Sequence, residues 1–301
     1  MRVLLKSVVK HRHYYYLIIP AFVLVAVFNY GPMYGIQIAF RDFRFVWGFL
    51  GSPWVGFKHF ESFFNSFHFS MIMRNTIVIS IYSTVAGFPI PILLALMINE
   101  LRETYFRKFI QTTMYAPYFI STVVIVGMIV TMFSPSMGIV NTVREWLGFE
   151  RLYFIVIPEA FWHLHVWSGV WQFMGWSSII YIAALSTVDP ELHEAARMDG
   201  ANRIQRIRHI NIPAISHTII ILLILSIGSF LSVGFEKIYL LQNSLNIQYS
   251  EVISTFVYKR GILNTNYSFA TAVGLFNNVI NVVMLLIANA IASKVSETSL
   301  F

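Results

Sequence analysis

The sequence predicts an all-α integral membrane protein, and three observations predict it. Hydrophobic residues fill 57% of the 301 positions, charged residues only 12%, and mean hydropathy is +0.66, whereas a soluble domain carries about a quarter charged residues. Six mostly apolar runs are long enough to cross a bilayer, each reaching the roughly 20 residues that span about 30 Å of hydrocarbon. None of the six contains Asp or Glu, as expected where an ionised group at mid-bilayer costs about 2.5–3.5 kcal/mol. A disordered chain is excluded by 27 Phe, 15 Tyr and 7 Trp, far more apolar surface than an unpacked chain leaves in water. With no cysteine there is no disulfide frame, no thiolate metal site and no cysteine nucleophile. The formal charge of +7 sits in short segments between apolar runs, so it reads as membrane topology and not as a nucleic-acid surface.

The runs cover approximately 15–38, 73–98, 109–133, 164–187, 212–234 and 268–292. The first follows Arg2, Lys6, Lys10 and Arg12, as a signal peptide would. Its length, with no small-residue cleavage site before Asn29–Pro32, predicts a retained anchor instead. Residues 1–14 then form an N-terminal segment and 15–301 a single transmembrane domain. With the N-terminus in the cytoplasm, the inner segments hold 12 Lys and Arg against 9 outside. The outer segments are also longer, so positive charge is denser inside, and both termini are expected there. The outer connections carry Trp47, Pro53, Trp54, Gly56, Phe57 and Trp146, which fit an external docking surface or interfacial anchoring equally well.

Between the fourth and fifth runs, 188–213 reads as two short helices with a break. Asp189 suits an N-cap, Pro190 the first helical position, and Glu191 and Glu194 place negative charge where the helix dipole favours it. Gly200 can take the left-handed conformation that ends a helix, and Asn202 can cap the next, which is expected to stop at Pro213. Ile204, Ile207 and Ile210 line one side of the second helix, with Arg203, Arg206 and Arg208 elsewhere, so an amphipathic helix on anionic lipid remains an alternative for that helix alone. The first helix fits lipid less well, since Glu191 and Glu194 would be repelled. Its small residues Ala195 and Ala196 permit close approach of another protein.

Glu194-Ala195-Ala196, then Gly200, then Ile210 and Ile212-Pro213 resemble the EAA loop of ABC importer permeases, with Ile where the usual pattern has Leu before Pro. Further segments resemble the carbohydrate-uptake branch: Trp54-Val55-Gly56-Phe57-Lys58-His59-Phe60, Arg74-Asn75-Thr76, Pro117 and Gly234–Leu241. Val252–Tyr258 and Tyr267–Ala272 are similar to permeases of complex oligosaccharides, including uronate polymers such as alginate. The resemblance implies a six-helix type I importer permease fold in a bacterial inner membrane, with a cytoplasmic coupling helix pair. It implies a second homologous permease subunit, a cytoplasmic ATPase dimer that holds ATP and magnesium, and an extracytoplasmic binding protein that delivers an oligosaccharide. On this resemblance Glu194, Ala195, Ala196, Arg197, Asp199, Gly200, Ile210 and Pro213 form the ATPase-coupling site, with Glu194 the anchoring polar contact. The chain itself has no phosphate-binding loop ending in Gly-Lys-Ser/Thr, so no cofactor is expected on it and it is not expected to be an enzyme.

Candidates for the sugar path come from the fourth and sixth runs. Trp167 and Trp171 share one helical face and Gln172 and Trp176 another; aromatic rings stack on sugars and amides bond hydroxyls. Trp162, His163 and His165 near the outer end fit an aromatic belt better. Asn277, Asn278 and Asn281 lie near mid-membrane, where amides rarely face lipid, with Asn277 and Asn281 on one face. Interhelical hydrogen bonding and a hydrated pathway both explain them. The sequence has no His-Glu-x-x-His zinc helix, no Gly-x-Ser-x-Gly nucleophile elbow and no in-membrane carboxylate pair, and His163 and His165, two apart, point to different faces. An ion-coupled carrier or a non-transporting scaffold subunit are the rival functions; the first would want ionisable residues or broken spans at mid-membrane, and the six runs supply none of the former there, although Pro89 and Pro91 could kink the second.

Overall fold

The computed structural model describes residues 12–101 and 104–296; Arg2, Lys6, Lys10 and Arg102 of the orientation argument lie outside them. Among the described residues every regular element is helical, and the sole strand-like feature is one antiparallel bridge between Arg41 and Trp54. By its internal contacts the chain gathers into two compact units. One runs to Ser66 and includes Val257–Phe276; the other comprises Phe67–Phe256 and resumes at Asn277.

The first unit begins with α1 (His13–Phe40), whose apolar surface is almost wholly exposed. Its regular turns widen at Ala26–Tyr30 and tighten at Gly31–Phe40, around Pro32, whose ring cannot sit against the carbonyl four residues back. The Trp54–Phe60 segment folds back onto the end of this helix. Trp54 stacks on Phe40 at 5.5 Å, Arg41 Nη1 donates to the Ser52 carbonyl at 2.8 Å, and His59 Nε2 lies 3.1 Å from the Arg41 carbonyl. Phe63 packs edge-on against Phe269 and Phe276, and the Phe43 amide donates to Ser268 Oγ at 2.9 Å. Aromatic edges and faces, not aliphatic packing, thus hold this unit together.

The second unit is built on α2 (Phe69–Asn99), α3 (Thr104–Tyr115), α4 (Thr122–Met132) and α5 (Ala160–Leu185). Pro89 and Pro91 lie inside α2, which nevertheless continues to Asn99 because Phe88 still donates to the Thr84 carbonyl. The 109–133 run, read as one span, is broken: α3 and α4 meet at 98°. Pro117 tightens the end of α3, Ile120 and Ser121 are extended, and Ser121 caps α4 by accepting from the Val124 amide. The 164–187 run is α5, 26 residues long, enough at about 1.5 Å per residue to cross a bilayer. Among the described residues three helices are both long and apolar enough to cross, and five if each bent pair counts once; α5 is not among them, since Trp162, His163, His165, Ser168 and Gln172 dilute its apolarity.

Helix α5 buries Phe161, His165, Gln172, Gly175, Ser178, Tyr181 and Leu185, steps of three, four and seven residues that keep one face against both halves of α2. The approach to α3 is so close that a Cβ on Gly175 would run into the Met114 carbonyl. The Arg74-Asn75-Thr76 motif at the start of α2 fastens the 248–253 segment. Asn75, fully buried, donates to the carbonyls of Gln248 and Glu251 at 3.0 Å, Thr76 Oγ1 accepts from the Ile253 amide, and Arg74 lies 5.1 Å over the Tyr249 ring. Two apolar clusters complete this unit, one around Ile79, Ile125, Phe161 and Ile238, the other around Ala95, Tyr181, Leu185 and Ile215.

Beyond α5 come α6 (Pro190–Met198), α7 (Arg203–Ala214), α8 (Ser216–Gly228), α9 (Phe235–Leu241) and α10 (Tyr267–Ser296). The second platform helix does not stop at Pro213, as the sequence suggests. A widened turn over Ile207–Asn211, closed by the Ile212 amide on the Ile207 carbonyl, moves the backbone out of α register, so α7 accepts Pro213 and runs to Ala214. The chain bends at Ile215 instead, by 62° into α8. The helix expected over 212–234 therefore ends at Gly228.

Candidate functional site

The platform is α6, a short turn and α7, each end fixed by its own sequence. Asp189 accepts from the Glu191 amide at 2.9 Å and Pro190 takes the first helical position. Gly200 sits at φ +79°, a left-handed conformation that opposes any Cβ. Asn202 and Gln205 form a reciprocal capping box, with bonds of 2.9 and 2.7 Å. Two satisfied caps around a left-handed glycine make the angle between the helices a property of the sequence.

The structure brings the predicted coupling residues together on this platform. Glu194, Ala195, Arg197, Asp199 and Gly200 are exposed and Ala196 is half-buried. Glu194 and Arg197 also border a polar cleft of about 300 Å³ with Asn99, Glu100 and Arg203. Ile210 is half-buried in the widened turn, and Pro213 is exposed beyond it. The isoleucine stripe is divided: Ile204 is 75% exposed, whereas Ile207 packs on the cluster around Tyr181 and Leu185. Arg206, placed by periodicity away from that stripe, is buried; its Nη1 donates to the Ala201 carbonyl and its Nη2 lies 3.7 Å from Glu100. The platform is therefore pinned from beneath and open above.

Of the five path candidates, Gln172 alone borders a cavity. It is 4% exposed, donates to the Ile120 carbonyl at 3.2 Å and lines a space of about 500 Å³. A second space of about 610 Å³ adjoins it, the two sharing Ser83, Gly87, Pro91, Ser177 and Ser232. Trp171 is partly exposed away from both, and Trp167 donates its indole N–H to Tyr82 Oη at 2.7 Å, which in turn meets His163 Nδ1 at 2.9 Å. Trp176 stacks on Tyr118 at 4.2 Å, its rings 4° from parallel. Asn281 is buried in a bond from the Leu231 amide at 3.0 Å, and Asn277 is half-buried, bordering neither cavity.

Sequence reasoning missed the cavity's other polar groups, Ser83, Thr122, His165, Ser177, Ser232, Glu236 and Lys237. Helical periodicity could not place Ser232 or Lys237, because both follow the end of α8 and depend on how the chain turns back. One signal was present: Glu236-Lys237 is a charged pair set directly between apolar stretches.

A bilayer-length all-helical chain with a capped, exposed helix pair between two spans is the architecture of a transport permease. The chain belongs to the family described as binding-protein-dependent transport system inner membrane component, which it matches over residues 87–297; it has the all-helical type I importer permease fold. It is 40% identical to the polygalacturonan/rhamnogalacturonan transport system permease protein YteP of Bacillus subtilis (strain 168), over 99% of this chain and 93% of that one. It is 42% identical to Protein LplB of the same organism, over 95% and 90%. Its fold matches a crystal structure of a bacterial ABC transporter involved in the import of the acidic polysaccharide alginate, at TM-score 0.90 and 40% identity, covering 97% of this chain and 99% of that one. A second structure, of a bacterial alginate ABC transporter in complex with alginate pentasaccharide-bound periplasmic protein, matches at TM-score 0.90 and 39% identity, over 98% and 99%.

Proposed function

We propose that this permease takes up acidic oligosaccharides, uronate chains above all, as half of an ATP-driven importer. A second homologous permease completes the pathway, a periplasmic or tethered binding protein delivers the sugar, and a cytoplasmic ATPase dimer binds ATP and magnesium. Both termini lie in the cytoplasm, with the platform. The observation that carries the reading is the platform: a helix pair of fixed angle, pinned beneath by Arg206 and exposed along Glu194 and Ala195. Such a rigid, protruding element follows a moving partner surface and transmits its displacement. Glu194 makes the anchoring polar contact with the ATPase, Ala195 and Ala196 allow close fit, and Arg197, Asp199, Gly200, Ile210 and Pro213 complete the coupling element. The uronate class is supported by relatives named for polygalacturonan and alginate.

The test is a mild-detergent pull-down of the tagged chain, wild type beside Glu194→Arg, with partners identified by mass spectrometry and ATP hydrolysis measured on the assembly. Wild type should bring down a second permease and an ATPase, and Glu194→Arg should lose the ATPase or its stimulation by sugar. A chain recovered with no ATPase would sink the importer reading; a Glu194→Arg complex with normal sugar-stimulated hydrolysis would sink the role of Glu194.

A further inference from the structure

Among the described residues Lys237 is the one lysine that lines the cavity beside Gln172. The side chain is 7% exposed, and Nζ donates to the carbonyl of His165 at 3.2 Å. Among the described residues no carboxylate lies within 4.0 Å of it; its neighbour Glu236 also borders the cavity, exposed and beyond ion-pair distance. A buried cation held by one neutral carbonyl is poorly compensated, since a carbonyl dipole replaces only part of its hydration and none of its charge. The walls are mostly apolar, with a few polar groups set among them. Ser83, Thr122, Ser232 and the amide-bearing Gln172 line the same cavity, and Gly169 has no side chain where a Cβ would come within 3.6 Å of Nζ. About 500 Å³ lies in the range of sites that hold small ligands, and a second space of about 610 Å³ shares part of its wall.

We infer that Lys237 is a carboxylate-binding subsite on the sugar path, taking the C6 carboxylate of one uronate residue while the hydroxyls and Gln172 receive the ring. The inference rests on the importer reading and adds to it the residue that distinguishes an acidic sugar from a neutral one. A single charge-assisted contact of this kind gives selectivity without tight retention, as a transit site requires. Its partner charge is the substrate's own, and between transport cycles the His165 carbonyl holds the ammonium in place.

The complex of both permeases and the ATPase, reconstituted in liposomes with its binding protein, provides the assay, with trigalacturonate as the probe. Lys237→Gln keeps a donor for the His165 carbonyl and removes the charge. It should raise the KM for trigalacturonate about tenfold or more, in a complex that still assembles with a thermal midpoint near that of wild type. As a second measurement on the unmodified chain, carbodiimide-activated trigalacturonate should form an amide with Lys237, read as a mass increment on its peptide and suppressed by excess unactivated trigalacturonate. Wild-type KM in Lys237→Gln, or no adduct on Lys237, overturns the subsite. Loss of assembly in Lys237→Gln with no adduct on the wild-type chain assigns Lys237 to packing. Failure of the wild-type complex to move trigalacturonate at all brings down the uronate reading itself, which the variant results alone would leave standing.

Discussion

The Arg206 guanidinium ties two parts of the second unit together: Nη2 faces the Glu100 carboxylate at 3.7 Å, where α2 ends, while Nη1 donates to the Ala201 carbonyl in the turn of the platform. Both side chains are largely shielded, at 9% and 21% exposure. The pair therefore links the membrane-crossing α2 to the helix pair above it through a single side chain.

Removing one partner should cost more than removing both, because the survivor is left charged and shielded. Glu100→Gln is expected to destabilise the chain by about 2–3 kcal/mol, lowering the thermal midpoint in detergent. Arg206→Met/Glu100→Met should recover most of that loss while leaving sugar-stimulated ATP hydrolysis impaired, since the α2–platform link is gone. A double variant less stable than either single one would refute the pairing.

Gly200 carries the turn between the platform helices at φ +79°. Ala there should cost about 1–2 kcal/mol, Asn clearly less, because its short side chain tolerates the left-handed region. Open space surrounds the position, so backbone conformation and not a clash sets that order. Stimulated ATP hydrolysis across Gly200, Asn and Ala variants should fall in the same sequence; equal activity in all three would mean that the angle of the helix pair does not matter.

The platform was legible in the sequence because its signals are local. Asp189, Pro190, Gly200 and Asn202 each act on the backbone within three residues, and each does in the structure what its chemistry implies. The passage of α7 through Pro213 was hidden, since the widened turn that admits it has no composition of its own. Burial of Arg206 depends on Glu100, about a hundred residues earlier, a relation no periodicity carries. The path residues suffered most. Helical spacing says which residues of α5 share a face, but not which face meets α2, so Gln172 was found beside Trp167 and Trp171, which border neither of the two large cavities.

Close approach of α5 to α3 makes a sharp demand at Gly175, where an added Cβ meets the Met114 carbonyl. Backbone cannot swing aside as a side chain does, so Gly175→Ala should cost about 1–3 kcal/mol or more and reduce the yield of folded protein. Gly127 in α4 is the control, with nothing within 4 Å of a Cβ there; Gly127→Ala should be neutral or stabilising by up to about 1 kcal/mol. Detergent melting of the two variants side by side decides the matter, and equal midpoints would show that α3 and α5 are not in this contact.

Asn281 is expected to act on stability and not on sugar affinity. Its Oδ1 accepts from the Leu231 amide at 3.0 Å and its Nδ2 faces Ser232 Oγ at 3.4 Å, just where the chain leaves α8 and no helical carbonyl is available. Asn281→Leu strips a buried amide of its acceptor, at a cost of about 1–3 kcal/mol, whereas Asn281→Asp keeps the acceptor and should fold better in spite of its charge. Ser232 borders both cavities, so Asn281 steadies the wall behind it and, lining neither cavity, offers no group of its own to the sugar. In liposome uptake the folded fraction of Asn281→Leu should therefore show a lower maximal rate at an unchanged KM. A KM raised severalfold in protein of normal stability would instead put the amide in contact with substrate.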